Sequence, residues 1–139
     1  MALSHQQEKS NGAAPTVKFT QVNASYDLSV AKIRAAFGQV KNGTTTLFAA
    51  GPFDKSREFQ VGVDVPLGNA LTLSTGVARG KLTFAGGGEV KSTGFGLAAK
   101  YEVSKRTFFY TGVLLAKNEG AGSAEIKTDT FALGVQHKF

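Results

Sequence analysis

The sequence contains no cysteine, so it can form neither disulfide bonds nor thiolate metal sites. Only 3 of its 139 residues are proline, whereas 17 are glycine, a composition that suits strands and turns better than helices. Long apolar runs are also missing: none exceeds the four residues of Val113–Ala116, far below the ~18 that a membrane-spanning helix requires. Strands that cross a membrane need only one apolar face, so this absence leaves a membrane location open.

Acidic residues are in the minority, with 16 Lys and Arg against 10 Asp and Glu and a net charge of +6. The sequence has neither a Lys/Arg run nor a predicted helix to carry one, so we expect no nucleic-acid partner. The basic excess could coat a solvated surface, or it could line a lumen that favours anions. The first ten residues are polar and lack the apolar stretch of a secretory signal.

The sequence offers little for catalysis or for metal binding. His5 and His137 are the only histidines and lie far apart in the chain. Glu89, Glu119 and Glu125 fall in predicted loops, where a solvated charge is the ordinary role. We therefore predict no enzymatic activity and no cofactor or metal.

Apolar and polar residues alternate with a period of two along most of the chain, which predicts β-strands. Residues 1–15 are the exception and are predicted as a polar segment that is disordered or part of an external loop, whereas residues 16–139 are predicted as barrel strands. The seven predicted strands are Thr16–Ser29, Val30–Lys41, Arg57–Leu67, Leu71–Phe84, Thr93–Val103, Thr107–Lys117 and Lys127–Phe139.

The predicted connections alternate between tight and long. Tight turns are predicted at 27–29, 66–70 and 103–106, and long Gly-rich or polar loops at 42–56, 85–92 and 118–126. Antiparallel strands place alternate connections at opposite ends of a sheet. One end should therefore carry short turns and the other long loops, as in outer-membrane barrels.

The last predicted strand shows the alternation most clearly. One of its faces carries Phe131, Leu133, Val135, His137 and Phe139, and the other carries Ala, Gly, Gln and Lys. Most other strands repeat this contrast between large apolar and small or charged residues. Because Gly and Ala are too small to fill a core, we predict an all-β, antiparallel transmembrane barrel segment with a water-filled lumen and an apolar face toward lipid.

Six charged residues share the predicted inward face. They are Lys32, Arg34, Asp64, Lys100, Glu102 and Lys138. As pore-lining residues their cations could bias the lumen toward anions. The plainer alternative is that these charges only wet the lumen wall.

Three segments resemble the general trimeric porins of Gram-negative bacteria, in particular the proteobacterial type that ends in Gly-x-x-His-Lys-Phe. They are Gly134–Phe139, the turn Tyr101–Thr107 and the junction Ala24–Ser29. The resemblance implies a sixteen-stranded, homotrimeric barrel in the outer membrane that lets small hydrophilic solutes or ions diffuse passively. It also implies that the barrel assembly machinery recognises Phe139, with Phe131, Leu133, Val135 and His137 as supporting positions.

Seven strands is an odd number, whereas single-chain bacterial barrels have even numbers. Together with the polar N-terminus, this leads us to expect the C-terminal part of a longer porin. Two alternatives remain open at this point: a soluble all-β barrel that binds a small molecule, and a small outer-membrane barrel without a pore. The small barrel would need an eighth strand, which residues 1–15 are not predicted to supply.

Overall fold

The computed structural model describes residues 1–8, 16–45, 51–120 and 125–139. Within these ranges the chain forms eight strands. They are β1 (Ala2–Glu8), β2 (Val17–Asp27), β3 (Lys32–Thr45), β4 (Gly51–Leu67), β5 (Leu71–Thr83), β6 (Glu89–Ser104), β7 (Thr107–Gly120) and β8 (Ile126–His137). The described residues contain no helix long and apolar enough to cross a lipid bilayer.

The strands lie in chain order in a single sheet, and every neighbouring pair is antiparallel. This confirms the predicted all-β, antiparallel fold. Over the described ranges β1 and β8 make no contact with each other, so the sheet is open at both edges. Unpaired edges inside a bilayer would leave backbone groups without partners, so the sheet needs further strands to close.

The prediction of no strand before residue 16 was wrong, because β1 pairs with β2 from Ala2 opposite Asn23 to Glu8 opposite Val17. Leu3 is the only large apolar residue in β1, so the segment carries no apolar alternation. Its pairing depends instead on the hydrogen-bonding groups along the edge of β2, which any sequence can satisfy. The remainder of the predicted polar segment, residues 9–15, lies outside the described residues.

The predicted long loops are shorter than expected, because the strands extend further. β3 continues to Thr45 and pairs with the beginning of β4. β5 and β6 are joined by a turn at residues 84–88, closed by the Phe84 amide donating to the Gly88 carbonyl at 2.9 Å. Residues 46–50 and 121–124, the centres of two predicted loops, lie outside the described residues.

The three connections β2–β3, β4–β5 and β6–β7 lie at one end of the sheet, which we call the turn end. Ser29 and Gly68 adopt positive φ there, 68° and 67°, which allows the chain to reverse within a few residues. The Asp27 carboxylate accepts a hydrogen bond from the Ser29 amide at 2.9 Å. In the β6–β7 turn the Ser104 hydroxyl accepts from the amides of Arg106 and Thr107. These local bonds confirm the predicted tight turns.

The opposite end, the loop end, holds the one buried apolar cluster among the described residues. Phe53, Leu82 and Val90 form it, and Val40 and Phe84 pack against it. Phe53 is only 7% exposed. The Phe53 ring covers Gly43 on the neighbouring strand so closely that a Cβ at position 43 would overlap it.

Candidate functional site: the inner wall of the sheet

The pairing registers assign every strand residue to one of two faces, because paired residues share a face and alternate residues change face. One face, the inner wall, is concave and encloses a groove of about 650 Å³. A row of glycines crosses its centre, with Gly62 opposite Gly76 and Gly76 opposite Gly96. A wall without side chains at its centre leaves the space in front of it open to water.

Five of the six predicted pore-lining residues share the inner wall by register. Lys32 and Arg34 lie on β3, Asp64 on β4, and Lys100 and Glu102 on β6. Lys138 follows the end of β8 and borders the same depression as Lys100 and Glu102. Their functional roles stay a prediction.

Asp64 is the centre of a polar cluster on this wall. Its carboxylate forms an ion pair with Arg34 and accepts a hydrogen bond from the Ser74 hydroxyl at 2.8 Å. Lys32 lies directly opposite Asp64 on β3. The Asp64 side chain is 19% exposed and that of Arg34 63%, so the carboxylate is held at the wall while the guanidinium remains accessible to solvent.

A second polar cluster lies at the turn end. The Lys100 ammonium contacts the Glu102 carboxylate at 2.8 Å and stands 5.7 Å from the centre of the Phe108 ring. Together with Ser104, Lys105, Arg106 and Lys138 these residues surround a depression of about 170 Å³. Four of these residues are cations, so the depression is basic.

The strands of the inner wall have no excess of positive charge at the level of the groove. Over its whole length this face carries three cations, Lys32, Arg34 and Lys100, and at least five acids, Glu8, Asp27, Glu58, Asp64 and Glu102. The excess of positive charge therefore lies outside the inner wall.

Sequence alone could not orient β7, because both of its faces are apolar. The registers place Phe108, Tyr110 and Leu114 on the inner wall, opposite Glu102, Lys100 and Gly96. The Tyr110 ring covers Gly134 on β8. These wall residues were missed by sequence reasoning. Tyr110 and Leu114 each face a glycine on one neighbouring strand, which is the only signal for them, and Phe108 faces no small residue.

The other face, the outer face, is apolar and unusually exposed. Phe131 is 80% exposed and Leu133 is 83% exposed, and with Val135 and His137 they share this face as predicted. On β4 the outward residues Phe59, Val61, Val63, Val65 and Leu67 form an uninterrupted apolar stripe. Segment 59–67 has about the length that a tilted strand needs to cross a bilayer, ~9–11 residues.

Metal binding finds no support in the described ranges, where no three His, Cys, Asp or Glu side chains are close enough to share an ion. The Nδ1 atom of His137 is hydrogen-bonded to the Thr107 hydroxyl at 2.8 Å.

Solved structures share this fold. A loop-deletion form of OmpT, an outer membrane protein of Vibrio cholerae, superposes with a TM-score of 0.76 at 16% identity, over 99% of this chain and 48% of that one. The trimer form of in-vitro folded OmpT matches with a TM-score of 0.72 at 17% identity, over 89% of this chain and 42% of that one. The chain thus spans about half the length, or less, of these barrels.

No curated protein sequence matches the chain significantly. The sequence model of a family described as Gram-negative porin matches residues 1–121. That range includes the whole groove wall from β1 to β7 but not the terminal motif. Together with the outer-membrane fold of the solved relatives, it places the protein in the outer membrane and argues against a soluble barrel, whose large apolar residues would face inward. The chain belongs to the Gram-negative porin family.

Proposed function

We propose that the protein forms part of a water-filled pore through which small hydrophilic solutes diffuse passively across the outer membrane. The observation that carries the proposal is the inner wall, where a central row of glycines and small residues faces an open groove. A lumen lined in this way neither packs into a core nor forms a fitted ligand pocket. No catalytic step and no cofactor belong to this proposal.

Closure of the pore requires strands beyond the eight described. The solved relatives are about twice as long as this chain, which supports a barrel of about sixteen strands in the complete pore. One relative is described as a trimer, which supports a homotrimer here as well. Chemical cross-linking in native membranes should give a ladder that ends at the trimer.

Solute flux tests the main proposal. Protein purified from outer membranes and placed in phosphatidylcholine vesicles should let a pentose enter rapidly and a trisaccharide slowly, measured as osmotic swelling. Heat-denatured protein is the control. Equal rates for both sugars, or no swelling above the control, would contradict a size-limited pore.

We also propose that Lys32 and Arg34 act on ion passage. Lys32→Glu or Arg34→Glu should lower the preference for anions, measured as the reversal potential in a planar bilayer, because each adds negative charge beside Asp64. Lys127→Glu, on the outer face, makes the same charge change away from the lumen and should leave the potential unaltered. Unchanged reversal potentials in all three variants would mean that the two residues only wet the wall.

The outward face of β8 supports a further partner, the barrel assembly machinery. Phe131, Leu133 and Val135 are exposed on an unpaired edge strand, and Phe139 is fully exposed after it. Phe139→Ala should reduce the amount of folded protein in the outer membrane, measured by heat-modifiable gel mobility. Refolding in detergent, which needs no machinery, should be unaffected by this change.

A further inference from the structure

The groove on the inner wall continues toward the loop end as a second space of about 390 Å³. This upper groove lies between the central row of glycines and the apolar cluster around Phe53. Its lining combines one acid with amides, a hydroxyl and an aromatic ring. The larger inward side chains that line it are Phe19, Gln21, Glu58, Gln60, Ser92 and Asn118. Passive diffusion alone gives none of them a role.

Glu58 carries the one charge that points into the upper groove from its described lining. Both of its partners across the strands are glycines, Gly38 on β3 and Gly80 on β5. Neither neighbouring strand therefore places a side chain beside the carboxylate. Arg79 also borders the groove, but its pairing with Phe59 puts its side chain on the outer face.

Glu58 also differs from the other acids of the inner wall. Asp64 is paired with Arg34, and Glu102 with Lys100. Glu58 takes part in none of the ion pairs formed within the described ranges. Arg34 lies opposite Gly62, which is four residues or ~13 Å along β4 from Glu58. The carboxylate can therefore take its counter-ion from the solution in the lumen.

The polar lining beside Glu58 suits an ammonium group. An ammonium group has three N–H donors and needs an oxygen acceptor for each. Gln60 and Asn118 contribute amide oxygens to the groove, and Ser92 contributes a hydroxyl. Because the Ser92 hydroxyl donates to the Asn118 amide oxygen at 2.6 Å, its own oxygen remains an acceptor. A calcium or magnesium ion would need more oxygen ligands than one carboxylate supplies.

The remaining lining is apolar. Phe19 borders the groove on β2, and the methyl groups of Ala36, Ala78 and Ala116 lie on the strands that follow. A hydrocarbon body that packs against these side chains is removed from water, which contributes to binding. An inorganic cation gains nothing from such a surface. The lining therefore favours a cation that has an apolar part.

We propose that the upper groove is a binding site for organic ammonium ions, in which Glu58 takes the charge of a primary amine and the side of Phe19 and the alanines takes its hydrocarbon body. A solute bound here is held between the loop-end mouth and the row of glycines. The inference rests on the proposed water-filled lumen. Its test measures binding and no flux, so the binding site and the pore can fail separately.

Butylammonium is the probe, and 1-butanol is its uncharged counterpart of the same length. Saturation transfer from the protein to the ligand protons, measured by NMR with purified protein in phosphatidylcholine vesicles, gives both dissociation constants; empty vesicles are the blank. At low salt butylammonium should bind about fivefold more tightly than 1-butanol, the effect of one exposed ion pair. Equal affinities, or no transfer above that of the blank, would overturn the proposal.

Methylammonium tests the apolar side of the site. It carries the same charge as butylammonium but has almost no hydrocarbon to pack against the groove, so it should bind more weakly. Equal affinity of the two ions would overturn the assignment to organic ammonium ions, because the carboxylate alone would then explain the binding.

Two matched variants locate the charge. Glu58→Gln keeps the size of the side chain and should weaken butylammonium binding about fivefold. Glu119→Gln makes the same change on the outer face, in the row of Arg57, and should leave the binding unchanged. Equal weakening in both variants would overturn the proposal, because the charge of the whole sheet would then be responsible.

A blocking variant locates the groove without altering its charge. Gly38 lies opposite Glu58, and a Cβ there would meet open space, so Gly38→Leu adds a side chain inside the groove. It should weaken butylammonium binding as much as Glu58→Gln does. Gly86→Leu, in the turn between β5 and β6, also enters open space and is the control. Undiminished binding in a Gly38→Leu protein that is folded by heat-modifiable gel mobility would overturn the proposal.

Discussion

The same strands pass through two regions that are built in opposite ways. At the level of the groove, large apolar residues such as Phe59 and Val63 point outward, and glycines such as Gly62 and Gly76 line the inside. At the loop end the arrangement is reversed: lysines and arginines point outward, and Phe53 packs inside against Leu82 and Val90. The first arrangement suits a wall between lipid and water, and the second suits a protein with water on its outside.

The contrast between these two regions shows where the hydrocarbon layer ends along the strands. Simple alternation ends at the loop end. Asn42 in β3 has a positive φ of 56°, and Phe53, which by register shares the face of Lys55, packs instead with the inward residues Leu82 and Val90. On β4 the outward residue changes from Phe59 to Arg57, and this change marks the boundary of the hydrocarbon layer on that strand.

The sharpest test of this comparison uses two phenylalanines on β4. Phe53→Ala should lower the free energy of unfolding by about 3 kcal/mol, because it opens a cavity in a protein-lined cluster. Phe59→Ala should cost less, because mobile lipid chains fill the space that the ring leaves. Urea unfolding of the protein in vesicles, followed by heat-modifiable gel mobility, measures both. Equal losses would mean that the two regions are not packed differently.

Arginine substitutions test the depth of the two regions. Val63→Arg places a charge in the middle of the apolar stripe and should cost ~2–4 kcal/mol. Gln39→Arg adds the same side chain opposite Arg57, at the level of the outward cations near the loop end, and should cost about 0–1 kcal/mol. The same urea unfolding experiment compares them. A similar cost at both positions would contradict the assigned boundary.

Two glycines on β3 provide a smaller contrast. Gly43→Ala should destabilise by about 1–3 kcal/mol, because the new Cβ overlaps the Phe53 ring. Gly38 faces open space, so Gly38→Ala should be neutral or stabilise by about 0.4–1 kcal/mol through the unfolded chain. The thermal unfolding midpoint of Gly43→Ala should lie below that of the parent protein, and the midpoint of Gly38→Ala should equal or exceed that of the parent.

The smallest expected effect is a pH dependence at the loop end. Hydrogen bonds from the Lys117 and Lys127 ammonium groups lower the pKa of Glu125 below its ordinary value. A carboxylate with a lowered pKa stabilises the folded state above its unfolded pKa of ~4.3, and this contribution is lost as the pH falls through the folded pKa. Glu125→Gln should therefore flatten the loss of stability below about pH 4.3. If Glu125→Gln loses stability at acid pH as steeply as the parent does, the ion pairs of Glu125 do not contribute to that loss.

Alternation predicted the fold because it reports directly on the two faces of a strand. It succeeded on β8, where Phe131, Leu133 and Val135 alternate with small residues, and it placed Lys32, Arg34 and Asp64 on one face. It failed at β1, whose pairing comes from the backbone of β2 and leaves almost no pattern in the side chains.

The positions of the charges were harder to predict than the strands. Counting alternate residues puts Arg57 and Lys81 on the outer face, but only the cross-strand registers show that they are direct neighbours. The cluster around Phe53 and the ion pair between Arg34 and Asp64 likewise join residues on different strands, and a single sequence holds no information on that register. The sequence therefore predicts an excess of positive charge, but it does not predict that this charge lies on the outer face of the sheet.

The outward lysines and arginines near the loop end, such as Arg57, Lys117 and Lys127, also act on the bilayer. If the sheet moved along the membrane normal toward the turn end, these cations would enter hydrocarbon, which is costly for every one of them. A bilayer that is too thick must therefore thin beside the protein, since the protein cannot slide to meet it. These cations therefore limit the depth of the sheet and, with it, the local thickness of the membrane that surrounds it.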